Sequence, residues 1–243
     1  MTRDLPAPDR VLAIGAHPDD IEFGCGATLA KWADSGSRVH LLVLTDGSKG
    51  SWEAGADLAA LVASREEEQR NAARVLGAVD VTFLGAPDGE LDERLAYRGA
   101  VCEVIRRTRP DVVAAHDPWK RYRIHPDHRH AGFLALDGLV AARDPHFFPE
   151  QGLSPHRPAH LLLFEADAPD HAEIVTDHLE RKIDALLRHV SQWRSTMAID
   201  VEGPNAQKQR ELFADRIRTE ADEASHVLDA GAPAEIFKRI DEL

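Results

Sequence analysis

The first apolar run of the chain, Val11 to Ala16, stops at His17-Pro18. A residue ahead of a proline is driven out of the αR region, so a strand here ends at the motif and delivers a histidine to its carboxyl end. Ala27, Leu29, Ala30 and Trp32 then read as a helix closed by Gly36, and Val39 to Leu44 reads as a second strand. That is one βαβ unit, and the pattern recurs. Val79 to Leu84, Val112 to Ala115 and Leu161 to Phe164 are β-like runs, separated by helical segments near 57–76, 92–108 and 128–142. Such alternation predicts an α/β fold, a mostly parallel sheet flanked by helices. Beyond Thr176 the chain reads as helix, with Leu179, Ile183, Leu186, Leu187 and Val190 at helical spacing, followed by a charged helical segment near 206–228. The 243 residues fit one domain over 1–243, with a core over about 10–195 and a helical C-terminal tail over about 200–243.

In an open parallel sheet, ligands bind outside the carboxyl ends of the strands. Those ends are polar here: His17, Asp19 and Asp20 after the first run, Thr45 and Asp46 after the second, Asp88 after the third, His116 and Asp117 after the fourth, Glu165 and Asp167 after the fifth. Loops are polar in any protein, so the carboxylates taken singly carry little weight. The histidines carry more. The loop from Asp144 to Pro158, with its prolines and Gly152, is the expected flexible edge or lid.

The tripeptide His-Pro-Asp occurs twice, as His17-Pro18-Asp19-Asp20 and as His125-Pro126-Asp127-His128. Metal binding gives a reason for the repetition, because imidazole and carboxylate suit zinc, and a catalytic zinc site keeps three protein ligands with one position open. His17 and Asp20 are three residues apart, as are His125 and His128, so each pair can face one point across a turn. Four ligands would make a closed structural ion. Three ligands, with Asp19 and His125 left free, would make a reaction site with a base and an acid. Spacing alone does not choose between them.

Ala16-His17-Pro18-Asp19-Asp20, with Glu22 following, resembles the signature of the PIG-L (LmbE-like) N-deacetylases, and His125-Pro126-Asp127-His128 resembles their second motif. The resemblance runs on through Thr45-Asp46-Gly47, Arg65-Glu66-Glu67, Leu76-Gly77, Pro87-Asp88-Gly89, and Lys182, His189, Ser191 and Gln192. It implies a Rossmann-like fold and zinc-dependent removal of an acyl group, commonly acetyl, from the nitrogen of an amino sugar. It also implies His17, Asp20 and His128 as ligands, Asp19 as general base, His125 as acid or electrophile, and Asp127 as an orienting partner of a histidine. The first motif departs slightly, continuing Asp20-Ile21-Glu22 where many members have glutamate directly after the second aspartate. That change touches no implied ligand. Other divalent ions, Fe²⁺, Mn²⁺ or Co²⁺, suit the same donors.

On the substrate side, Arg65 falls on the apolar stripe of its helix formed by Leu58, Leu61, Val62, Ala72, Ala73 and Leu76. A guanidinium there contacts substrate or pairs with a carboxylate such as Asp46 or Asp88, and all three residues are candidate substrate-binding positions. Of the four tryptophans, Trp119 is the favoured sugar-stacking face, because it lies between Asp117 and His125. The run Lys120-Arg121-Tyr122-Arg123 puts positive charge beside the second motif.

Composition narrows the partners. A net charge of −13 disfavours a phosphate-backbone binder, so nucleic acid is not expected. No stretch approaches the length of a membrane span, and Cys25 and Cys102 match no disulfide framework or zinc spacing, which points to a cytoplasmic protein. The expected partner is a small N-acylated amino-sugar substrate; related enzymes are often oligomers, so a homo-oligomer is a further expectation. Gly24-Cys25-Gly26 is not a dinucleotide fingerprint, since residue 29 is leucine and the pair lies past the strand-to-helix turn. Two other readings use the same His/Asp/His set: a non-haem iron enzyme, and a non-catalytic metal-binding protein in which the ion only holds the fold.

Overall fold

The structure is a computed structural model that describes residues 1–201 and 203–243. Among the described residues, eight strands form one sheet: β1 (Thr2–Arg3), β2 (Arg10–Gly15), β3 (Arg38–Thr45), β4 (Asp80–Ala86), β5 (Val112–His116), β6 (His160–Phe164), β7 (His171–Ile174) and β8 (Ala234–Ile240). Their order across the sheet is β1-β7-β8-β6-β5-β2-β3-β4. The run from β4 through β3, β2 and β5 to β6 is parallel throughout, and β8 lies antiparallel between β6 and β7. The order reverses between β2 and β5, which opens a crevice beyond their carboxyl ends.

Helices α1 (Asp20–Asp34), α2 (Leu58–Leu76), α3 (Leu95–Thr108), α4 (Pro126–Arg143), α5 (Leu179–Leu186) and α6 (Ala206–Val227) complete the fold. The central strands are apolar on both faces, and two clusters separate accordingly. Leu12, Ile14, Val113, Ala115, Leu161 and Leu163 pack under α3 and α4, whereas Val11, Ala13, Val112, Ala114, Leu162 and Phe164 pack under α1 and α2. Alternate residues of each strand point to opposite faces, so a fully buried strand reads as a continuous apolar run.

Each of the five runs read as strands forms one, and the helices fall where expected, with α1 beginning at Asp20 directly after the first motif. The C-terminal tail differs. It holds α6 but also β8, which inserts into the sheet and pairs with β6 and β7. The strand was hidden because Ala234-Glu235-Ile236-Phe237-Lys238-Arg239-Ile240 interleaves charges with its apolar residues. The 144–158 loop is no lid either. The buried Arg106 guanidinium donates to the carbonyls of Ala141, Ala142, Asp144, Phe147 and Phe148, pinning the loop to α3 near the carboxyl end of that helix, away from the site crevice.

One irregularity bears on the site. α1 is broken at Cys25 (φ −152°), where Gly24 lies so close to the Phe164 ring that a Cβ would come within 2.5 Å of it. The break frees backbone groups, and a buried ion pair takes them up. Glu235 of β8 accepts from Ala27 N at 3.1 Å and Thr28 N at 2.7 Å, and Lys182 of α5 donates to Phe23 O at 2.8 Å and Glu235 Oε1 at 2.6 Å. Removing one member of such a pair strands a buried charge and two N–H groups. Glu235→Ala is therefore expected to cost about 3–5 kcal/mol in urea unfolding; a loss below about 1 kcal/mol would show that the break needs no such cap.

Candidate metal centre and active-site cavity

Both His-Pro-Asp motifs lead into a helix, in different registers. In the first, Asp19 is the N-cap of α1 and Asp20 its first helical residue. In the second, His125 is the N-cap of α4, Pro126 opens the helix, and His128 lies in its first turn. Proline suits both places, ending a strand or starting a helix with its missing N–H. Neither N-cap side chain bonds its own helix, so the Asp19 carboxylate and the His125 imidazole are free for the crevice.

Asp20 is the hub. Its Oδ2 accepts from His17 N at 2.7 Å and lies 3.3 Å from His17 Nδ1 and 3.2 Å from His116 Nε2, while Oδ1 lies 3.4 Å from His128 Nε2. Burial would raise its pKa, but His128, His116 and His17 outweigh burial and hold it well below the usual carboxylate range. The other nitrogen of His17, Nε2, faces Asp88 Oδ1 at 3.1 Å and Asp127 Oδ2 at 3.3 Å. Burial alone would lower the His17 pKa; hydrogen bonds to Asp127, Asp20 and Asp88 raise it well above the ordinary value.

His17, Asp20 and His128 offer donor atoms within 4.8 Å of one another, and so do His17, His125 and Asp127, and His116, His128 and Glu165. The first set fits a reactive ion best. All three of its members line a 520 Å³ cavity at the crevice, and two carboxylates hold the proton on His17 Nε2, leaving Nδ1 as the lone-pair donor beside Asp20. Asp127 is wholly buried, absent from the cavity wall, and already accepts from Gly89 N and His17. His128 is held neutral: burial, with His116 and Arg123 nearby, takes its pKa down to about 4 despite Asp20. Arg123 Nε donates to its Nδ1 at 2.9 Å, so an ion at Nε2 requires that proton position to change and Arg123 to settle on its other partner, Glu165.

Asp19 is buried on the cavity wall and has a left-handed backbone, φ 102°. Burial pushes its pKa up to about 6, against Arg65, whose Nη2 lies 3.6 Å away. His125 is exposed to the cavity with its ring centroid 4.7 Å from that of His17 and 5.1 Å from that of His128; burial and His17 lower its pKa.

The residues expected to meet substrate divide. Asp88 and Arg65 line the cavity, but both are engaged: Asp88 by His17 and by Lys49 N at 2.9 Å, Arg65 by Pro18 O at 2.6 Å and Gly47 O at 2.9 Å. Arg65 faces Asp19, and neither Asp46 nor Asp88 is its partner. Asp46 is not on the cavity wall; its Oδ1 accepts from Ser48 N and Asp88 N and holds the loop that carries Asp88. Trp119 packs edge-on against Phe133, while Trp52, 88% exposed, borders the cavity. In the basic run, Arg121 pairs with Asp167 and only Arg123 reaches the cavity. His116 and Glu165 were not singled out as site residues, although their places after β5 and β6 marked them. His116 stacks on His128 at 4.5 Å and bonds Asp20 and Glu165.

Residues 12–138 match the model of the PIG-L family, GlcNAc-PI de-N-acetylase. The chain belongs to that family. It is 37% identical over 187 residues to diacetylchitobiose deacetylase of Thermococcus kodakarensis, covering 76% of this chain and 70% of that one. It is 34% identical to 1D-myo-inositol 2-acetamido-2-deoxy-alpha-D-glucopyranoside deacetylase of Streptomyces avermitilis, covering 62% of this chain and 59% of that one. The crystal structure of N,N'-diacetylchitobiose deacetylase from Pyrococcus horikoshii superposes with a TM-score of 0.84 at 30% identity, over 96% of this chain and 84% of that one. Among the described residues, no helix is long and apolar enough to cross a membrane.

A carboxyl that ionises less readily folded than unfolded subtracts stability above both pKa values and none below both. Asp19→Asn should therefore stabilise the ion-free protein at pH 7.5, by at most about 3 kcal/mol, with the gain fading as pH falls from 6 to 4. Urea titrations at several pH values read this directly. Equal stability at pH 7.5 would mean that the burial of Asp19 carries no cost.

Proposed function

We propose that the protein is a zinc-dependent amide hydrolase that removes an N-acetyl group from an amino-sugar conjugate. The observation that carries this reading is the cavity floor, where the His17, Asp20 and His128 donors sit between buried Asp19 and accessible His125. The kinship with deacetylases of N-acetylated sugars supports the substrate class. Buried, unpaired Cys25 and Cys102 fit a reducing compartment, and we place the protein in the cytoplasm.

A divalent ion held by His17, Asp20 and His128 would supply Lewis acidity toward the amide carbonyl and make water more acidic. Asp19 is the proton acceptor: with a pKa pushed up to about 6 it is ionised at neutral pH yet basic enough to take a proton from the attacking water. His125 faces the cavity from the other motif and serves the leaving nitrogen, delivering a proton as the C–N bond breaks. His116 steadies Asp20, and Asp127 and Asp88 steady His17, so the ligand set is oriented by carboxylates and an imidazole behind it. Arg65 binds the Pro18 and Gly47 carbonyls and faces Asp19, a role in shaping the cavity.

The test combines ion content with acetate release from a panel of N-acetylglucosamine conjugates. Wild type should carry about one ion and release acetate. Asp19→Ala should keep the ion and lose about 10²–10⁴-fold in kcat. His128→Ala should lose both. Chelation should abolish turnover while the far-ultraviolet circular dichroism persists; global unfolding on chelation would instead favour an ion that only holds the fold.

A further inference from the structure

Glu22, Gln69 and His189 form a buried polar chain behind the cavity that the reaction outlined above does not use. It begins at the strained residue. A non-glycine backbone at φ 102° is costly and persists only when its surroundings hold it, yet the Asp19 side chain makes no cap bond to α1 that would do so. α2 holds it instead. Arg65 donates to the Pro18 carbonyl, and the Asp19 N–H donates to Gln69 Oε1 at 3.0 Å, so residues i and i+4 of one helix face grip both ends of the same peptide unit.

An amide side chain can present either end, and Glu22 decides which. Its Oε1 accepts from Gln69 Nε2 at 2.6 Å, a bond only the amide nitrogen can donate, which turns the Gln69 oxygen toward Asp19. Glu22 is itself wholly buried, with its Oε2 lying 3.6 Å from Nε2 of the equally buried His189. Burial would lower the His189 pKa, but Glu22 raises it. Gln69 therefore has one orientation, set from behind.

We propose that Gln69, oriented by Glu22, is a positioning residue that fixes the backbone of Asp19 and so aims its carboxylate into the cavity. The proposal rests on the reading of Asp19 as proton acceptor. Gln69 touches no substrate and no metal ligand, so its loss should appear in kcat and leave substrate and metal binding alone.

The test uses the full chain with Gln69→Leu, Gln69→Glu, and the exchange Gln69→Glu with Glu22→Gln. Zinc-loaded Gln69→Leu and Gln69→Glu should each lose about 10- to 100-fold in kcat, with KM within about twofold and ion content unchanged. The exchange restores one acceptor facing Asp19 and one donor between the two side chains, and should regain at least about tenfold over Gln69→Glu alone. In ion-free protein, hydrogen exchange at the Asp19 amide should speed up about tenfold or more in Gln69→Leu. An unchanged kcat with a lowered Tm, loss of the ion, or an exchange variant no better than Gln69→Glu would overturn the proposal. If wild type released acetate from no conjugate, the functional reading would fail, and the Asp19 amide would decide the clamp: unchanged exchange rejects it, faster exchange retains it.

Discussion

The bond between His17 and Pro18 constrains everything around it. A histidine ahead of proline is pushed away from helical geometry, so the chain stays extended past the end of β2 at Gly15 and α1 starts only after the proline, where the strand order reverses beside the end of β5. One imidazole is thereby held extended over the crevice. The chain then turns through a left-handed aspartate into α1, which places Asp20 on the same side. The second motif reaches the crevice from α4, whose N-cap and first turn supply the matching histidines.

The electrostatics follow from this crowding. Asp20 sits among three imidazoles, and the Asp88 and Asp127 carboxylates lie behind His17. In the ion-free form these carboxylates raise the His17 pKa, and a metal ion among them would supply the positive charge they favour. Guanidinium groups are kept one layer out: Arg65 serves backbone carbonyls and faces Asp19, and Arg123 is shared between His128 and Glu165. In the proposed reaction the reactive groups are ones that the fold holds at some cost, above all Asp19.

How much of this was legible differs by residue. The five parallel strands showed as apolar runs because both faces are buried, and the proline and glycine punctuation set their ends. The paired motifs announced His17, Asp20, His125 and His128 as neighbours, since a rare tripeptide repeated within one chain points to a shared purpose. What failed were partners set by long-range packing. Arg65, on the apolar stripe of its helix, reads as a contact to substrate or a partner of Asp46 or Asp88, and the carbonyls of Pro18 and Gly47 and the carboxylate of Asp19 are what it meets. Asp46 reads as a rim acid until two backbone N–H groups claim it. Gln69, mid-helix, carries no local signal, and His116 is marked only by its place at a strand end; each matters through a contact distant in sequence. β8 stayed hidden for the same reason, since an antiparallel strand edged with charge looks like tail.

The break in α1 is mended from a distance. The N–H groups it frees are bonded by Glu235, 207 and 208 residues further along the chain. The cap and the helix it completes are therefore joined only through tertiary structure, so α1 cannot be made whole by its own segment of the chain. Because β8 holds Glu235 in place by pairing with both β6 and β7, any change that loosens that strand should be felt at the helix that begins with Asp20.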